Sequence, residues 1–222
     1  MSKVLVIAVH PDDETLACGG TLLKHKANGD SIHWVIVTEM KEVFGFSKEV
    51  ILKRDQEIST VSSMYNFDEV YRLGFPTTQL DSIKKTDLIM NFSEILNKVQ
   101  PEIIYLPFKE DVHSDHRIAF EAVYSCTKVF RHQYIKKILM METVSETDYA
   151  PSIPGTSFVP NFFVDISDFF LIKLEILKVF ESELGQVPFP RSIENIEALC
   201  KYRGSISGCK YAESFMLLKE IW

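Results

Sequence analysis

No CxxC pair links the four cysteines Cys18, Cys126, Cys200 and Cys209, which excludes a zinc ribbon and a thioredoxin-like redox motif. Each lies among apolar or small residues, so four reduced, structural thiols are expected. No apolar run approaches the roughly 18 uninterrupted residues of a membrane span. The apolar start Val4–Val9 is too short for a secretory leader and runs directly into Pro11-Asp12-Asp13-Glu14, and the expected location is cytoplasmic. Positive charge is also in deficit: 24 Lys+Arg stand against 31 Asp+Glu, a net charge of −7. A protein that grips nucleic acid through its backbone would want the opposite balance. The nearest approach to a dinucleotide fingerprint is Gly19-Gly20, which does not make GxGxxG. Internal repeats and low-complexity segments are missing too. What is present is ordinary: 46% apolar and 25% charged residues over a chain of 222, enough to bury a core without staples.

The pattern of apolar residues supplies the organisation. Val4–Val9 is a continuous apolar run rich in β-branched residues, the mark of a strand buried on both faces. A helix follows from about Thr15 to Asn28, closed by Gly29-Asp30. Ile32–Thr38 repeats the strand pattern, and Ser47 is placed to cap a helix to about Tyr65. Glu69–Leu73 reads as a strand ended by Gly74 and Pro76. Thr86 is placed to cap a helix to Val99, and Ile103–Leu106 is a strand stopped by Pro107. His116 to Arg131 reads as helix and Lys137–Met141 as strand. This alternation predicts an α/β, Rossmann-like three-layer fold with a mostly parallel sheet. After residue 143 the rhythm changes, with Pro151, Pro154, Gly155 and Pro160 in an irregular connection. Phe162–Ile166 then reads as strand, and Asp168–Glu181 and Ile193–Tyr202 as helices. No linker composition intervenes, so residues 1–222 are read as one domain, with a core over 1–142 and a C-terminal α/β extension over 143–222.

Ligands of a parallel α/β sheet gather outside the carboxyl ends of its strands. Two polar clusters fall there: His10-Pro11-Asp12-Asp13-Glu14 after the first strand, and His113-Ser114-Asp115-His116 after Ile103–Leu106. In a doubly wound order those strands are neighbours, and both clusters face one crevice. Imidazoles with carboxylates suit Zn²⁺ held by three protein ligands, leaving a position for water; the same donors accept Fe²⁺ or Co²⁺. A further carboxylate and a further histidine can move protons there. The structural alternative is plain turn chemistry, with Asp13 or Thr15 capping the next helix. The coincidence of two such clusters at two strand ends favours a site. Spacing does not decide whether Asp12 or Asp13 is the ligand.

Val6-Ile7-Ala8-Val9-His10-Pro11-Asp12-Asp13-Glu14 with Gly19-Gly20 resembles the first signature of the LmbE-like/PIG-L family of zinc-dependent N-deacetylases. Asp111-Val112-His113-Ser114-Asp115-His116-Arg117 resembles its second, and Tyr202-Arg203-Gly204 through Tyr211-Ala212-Glu213-Ser214-Phe215 resembles its C-terminal end. The resemblance implies that His10, Asp13 and His116 bind Zn²⁺ and that Asp12 is the general base. It further implies that His113 is the electrophile or general acid, oriented by Asp115. Arg54 matches a family position where arginine contacts substrate; an i,i+3 ion pair with Glu57 on a solvated face is the competing reading. Ser114 stands where the family often has proline, which keeps the ligand spacing. Thr38-Glu39-Met40-Lys41 and Gly74-Phe75-Pro76-Thr77-Thr78-Gln79 depart from the family at loops flanking the pocket. The implied partner is a small N-acetylated sugar or sugar conjugate, not a nucleic acid or a membrane, and a homo-oligomer is compatible with the sequence.

Other residues are expected to be bystanders. His25 and His33 lie in a helix and a strand away from the strand ends, and His132 is read just past a helix end, where a positive charge suits the dipole. The Lys24–Lys26 and Lys136–Lys137 groups read as solvated faces. Phe158, Phe162, Phe163, Phe169 and Phe170 read as core, with Phe158 and Tyr149 also placed to line a sugar pocket. Arg191 and Arg203 are long enough to reach a phosphate on a substrate. Competing functions are a zinc hydrolase of another small amide or an ester, and a sugar- or nucleotide-binding module without chemistry.

Overall fold

The computed structural model describes residues 1–222. Seven strands form one sheet in the spatial order β3-β2-β1-β4-β5-β7-β6. They are β1 (Lys3–Ala8), β2 (Ser31–Glu39), β3 (Glu69–Pro76), β4 (Ile103–Leu106), β5 (Lys137–Met141), β6 (Phe162–Asp165) and β7 (Ala212–Glu220). The first five are mutually parallel, while β7 runs antiparallel between β5 and β6. The helices are α1 (Asp13–Ala27), α2 (Lys48–Tyr65), α3 (Lys85–Val99), α4 (Ser114–Ser125), α5 (Phe170–Leu177) and α6 (Ile193–Ser207). None is long and apolar enough to cross a membrane.

The β-branched run of β1 is buried on both faces because the sheet is covered twice. Leu5, Ile7 and Val9 join a core with Phe92 and Leu96 of α3 and Ala119 and Val123 of α4. Val4, Val6 and Ala8 point the other way, to Ala17 and Leu22 of α1, Ile58 and Val61 of α2, and Ile176 of α5. A smaller cluster joins α5 to α6 through Phe170, Leu174, Ile196 and Cys200. The expected three-layer α/β fold is therefore the fold observed, and residues 143–222 add two strands to the same sheet.

Several details differ from the sequence reading. β7 was not anticipated: Phe215-Met216-Leu217-Leu218 is apolar without alternation or β-branching, so it carries no clear strand period. β3 continues through Gly74 to Pro76. Ser47 does cap α2, its Oγ accepting from Val50 N at 3.3 Å, but Lys84 rather than Thr86 precedes α3. α4 ends at Ser125, well short of Arg131. All four cysteines are free.

The topology decides where chemistry can sit. β1 pairs with β4 on one side and β2 on the other, so the chain leaves the sheet in opposite directions here. This is the switch point at which a crevice opens beyond the carboxyl ends of the strands.

Candidate metal centre and cleft

The loop leaving β1 folds around one carboxylate. Val9 N and His10 N both donate to Asp13 Oδ2, at 2.9 and 2.8 Å, which turns Asp13 back under the strand end. The preceding Asp12 takes φ 143° and ψ −28°, a region that side chains rarely enter. That twist lets its carbonyl start α1, accepting from Thr15 N and Leu16 N at 3.0 and 2.9 Å. Asp12 and Asp13 therefore point to different places despite being adjacent.

From the neighbouring strand end, α4 delivers His116. Its Nδ1 lies 2.8 Å from Asp111 Oδ2, and the other Asp111 oxygen accepts from Thr147 Oγ1 at 2.6 Å. This leaves Nε2 turned toward Asp13 Oδ2 at 3.3 Å. His10 is arranged similarly: Nε2 faces Asp115 Oδ2 at 3.6 Å and Nδ1 faces Asp13 Oδ2 at 3.8 Å. Each imidazole thus has a carboxylate behind one nitrogen and Asp13 before the other, the arrangement that orients metal-binding histidines.

Ligand atoms of His10, Asp13 and His116 all lie within 4.8 Å of one another. Asp13 Oδ1 and His116 Nε2 are buried without a hydrogen-bond partner, a costly condition for a chain to maintain unless something else satisfies them. The donor set of two imidazoles and one carboxylate fits a divalent ion such as zinc. Electrostatics agree. Burial works against charge on His116, yet the Asp13 and Asp111 carboxylates hold its imidazolium well above the usual range, so the centre favours positive charge. His10, His113 and Asp115 form a second trio of similar spacing. There, however, both Asp115 oxygens already accept backbone amides, from Thr78 and Leu80 at 2.7 and 3.0 Å.

Those two bonds revise the role expected for Asp115. Its carboxylate fixes the 78–80 loop and stands behind His10, and no hydrogen bond joins it to the His113 ring. The link to His113 runs through the Asp115 backbone, whose N–H donates to His113 Nδ1 at 3.1 Å. An Nδ1 that accepts leaves the proton of a neutral ring on Nε2. Burial, followed by the proximity of His10 and His116, lowers the His113 pKa to about 4. Its form near neutral pH is therefore the uncharged Nε2–H donor.

A cleft of about 210 Å³ opens over this centre, lined by His10, Asp12, His113, Arg54 and Arg191 among others. Asp12 is 2% exposed, its Oδ2 accepts from Arg191 Nη1 at 2.7 Å, and its Oδ1 has no partner. Burial raises its pKa to about 7, with Arg191 pulling it down and the Asp13 and Glu183 charges pushing it up. Arg54 is on the cleft wall at 7% exposure. It does pair with Glu57, at 3.1 Å, but on a buried face; its Nη1 donates to Pro11 O at 2.8 Å and its Nη2 to Glu183.

Residues 5–127, more than half the chain, match the PIG-L family model, GlcNAc-PI de-N-acetylase. The chain belongs to this family. The diacetylchitobiose deacetylase of Thermococcus kodakarensis is 25% identical over all of the chain and 85% of its own length. Among solved structures, the conserved protein TT1542 of Thermus thermophilus superposes with a TM-score of 0.78 at 26% identity, covering 100% of this chain and 97% of that one. GalB of Pseudomonas putida, a 4-carboxy-2-hydroxymuconate hydratase, reaches a TM-score of 0.79 at 14% identity, with 100% and 98% covered. That last likeness shows the fold alone and illustrates that chemistry follows the site.

Within this PIG-L chain, several partners were not foreseen from sequence. Asp111, which the sequence already placed within the second signature, is the exception, and it stands behind His116. Glu146, Glu183 and Arg191 carried no signal, because they come from the C-terminal extension and meet the first motif only in space. Arg191 and Arg203 do not stand free for a phosphate: Arg191 is committed to Asp12, and Arg203 pairs with Glu142 outside the cleft. Phe158 packs edge-on against Phe108 at 5.2 Å, Tyr149 is exposed, and neither lines the cleft. His25 is held by Asp30 and Tyr105 at 2.7 and 2.9 Å, away from the centre.

Proposed function

We propose that this chain is a metal-dependent N-deacetylase that hydrolyses the N-acetyl amide of an amino sugar or sugar conjugate. The observation that carries the reading is the convergence of His10, Asp13 and His116 beside the unpartnered Asp12 Oδ1 under one cleft. The sugar deacetylase activity named for the Thermococcus kodakarensis relative supports the substrate class. His10, Asp13 and His116 would hold Zn²⁺, which when bound supplies Lewis-acid polarisation and an acidic water.

The remaining work belongs to the chain. Asp12 Oδ1 accepts a proton from the attacking water; a carboxyl near 7 suits both taking that proton and giving it back. The neutral His113 ring donates Nε2–H toward the acyl oxygen as charge develops there, which favours the electrophile over the general acid. Asp12 then passes its proton to the leaving nitrogen. The C–N bond breaks, releasing acetate and the free amine.

Asp12→Asn is expected to retain bound metal and lose about 10²- to 10⁴-fold in turnover, the usual worth of a general base. His116→Ala is expected to lose metal itself, read by elemental analysis. Acetate release from a panel of N-acetylated sugars, with esters alongside, tests the class of bond. Full turnover in Asp12→Asn, or cleavage of the esters alone, would defeat the proposal.

A further inference from the structure

Arg191 lies between the short turn Glu181–Glu183 and α6, 179 positions from Asp12 in sequence. Its guanidinium is held at every corner. Nε donates to Ser145 Oγ at 2.7 Å, and Nη2 to Glu146 Oε1 at 3.3 Å. Nη1 donates to Asp12 Oδ2 at 2.7 Å and lies 3.3 Å from Glu183 Oε2. A planar fork anchored at three other acceptors cannot follow Asp12 if that side chain rotates. Asp12 also needs restraint, since it is attached to backbone at φ 143° and sits near the imidazole of His10.

We infer that Arg191 is a positioning residue: it pins Asp12 Oδ2 so that Oδ1, buried and unpartnered, stays aimed into the cleft. This rests on the reading of Asp12 as general base. The geometry makes the C-terminal extension part of the catalytic apparatus, because without it the carboxylate has no fixed partner. The other bonds to this residue, from its N–H to Glu14 Oε2 at 3.1 Å and to its carbonyl from Thr15 N and Leu16 N, fix the backbone and leave the carboxylate to turn.

The test compares Arg191→Ala and Arg191→Lys with the parent protein in zinc-loaded form, measuring kcat, KM and metal content. Misplacing a reacting group by about 1 Å costs on the order of 100-fold, so kcat in Arg191→Ala is expected to fall about 10- to 100-fold. KM should change less than about twofold and metal content not at all, since uniform binding is untouched. Added guanidinium ion at sub-denaturing concentration should recover part of the lost kcat, and Arg191→Lys should retain an intermediate value. In an Asp12→Asn background, Arg191→Ala should have little further effect, because two residues acting as one unit are not additive. If Arg191→Ala does not fold, Arg191→Lys in both backgrounds carries the same comparison. Parent-like kcat in both variants would overturn the inference, as would losses that add in full to those of Asp12→Asn. Full turnover in Asp12→Asn alone would instead remove the general base, and with it the proposed function.

Discussion

Glu14 shows how a single residue of the first motif can be structural at its core and titrate in an unusual range. It is 0% exposed and has no cation beside it; one oxygen accepts the Asp12 N–H at 3.1 Å and the other the Thr15 hydroxyl at 2.6 Å. Burial raises its pKa from 4.5 to about 8. Between those values the folded chain binds a proton that the unfolded chain has released, so stability falls as pH rises through that window. Glu14→Gln keeps the shape and an acceptor for the Asp12 amide without the titrating proton. Its melting temperature is expected to match the parent's near pH 5 and to exceed it by roughly 10 °C at pH 8: the pH window between them is worth about 3–4 kcal/mol, and about 1 kcal/mol corresponds to about 2–4 °C for a chain of this size. Melts taken in chelator remove any contribution from bound metal. A melting difference constant across pH would show that Glu14 is not the titrating group. At this scale the sequence was informative about which residues matter and silent about direction. His10 through Glu14 declare a site, but spacing leaves the two adjacent aspartates equivalent, and it is the twist at Asp12 that sends their side chains in different directions.

At the scale of elements, α1 is the member that carries the site and is itself interrupted. Cys18 leaves the helical region at φ −141°, which breaks the hydrogen-bond ladder one turn beyond Asp13. Glu213 of β7 closes the gap, accepting Gly20 N, Thr21 N and Thr21 Oγ1 at 2.9, 2.7 and 2.6 Å. Lys173 of α5 donates to Leu16 O and to Glu213 at 2.9 and 2.7 Å. Gly20 is required where it stands, since a Cβ there would come within 2.7 Å of the Ile166 side chain. Lys173→Met would leave the Glu213 carboxylate buried without its cation, an arrangement that costs about 3–5 kcal/mol. The expected result is a melting temperature roughly 10 °C lower, and an unchanged melt would refute the clamp. This element also marks the limit of what local sequence can show. The βα units of the front half were legible because β-branched runs and polar stops are local signals, whereas β7 holds its place through partners such as Gly20 and Lys173 that are remote in sequence. The same reason hid Arg191 and Glu146 from the candidate site, while His10, Asp13, His113 and His116 were visible as motifs.

For the whole molecule, the net charge of −7 acquires a location. The cleft is lined by Asp12, Glu39, Asp55, Glu146 and Glu183 against Arg54, Arg72 and Arg191. None of these guanidiniums is unclaimed. Arg72 Nε and Nη2 lie 2.6 and 2.7 Å from Glu39 and Asp55, Arg54 serves Glu57 and Glu183, and Arg191 serves Asp12. A substrate phosphate would have to break an internal ion pair to find a cation, and would meet the displaced carboxylate as a like charge. An uncharged N-acetyl sugar meets neither cost. For the activity proposed above, kcat/KM for N-acetylglucosamine is therefore expected to exceed that for its 6-phosphate by about tenfold or more at low salt, the scale set by about 1.4 kcal/mol of differential binding. The ratio should narrow as ionic strength rises, because exposed charges such as Asp55 are screened. Glu39→Gln with Asp55→Asn frees Arg72 and should shrink the ratio further without changing metal content. A parent protein that prefers the phosphorylated sugar would show that the cleft arginines exchange partners readily, and that their pairing does not govern which substrates enter.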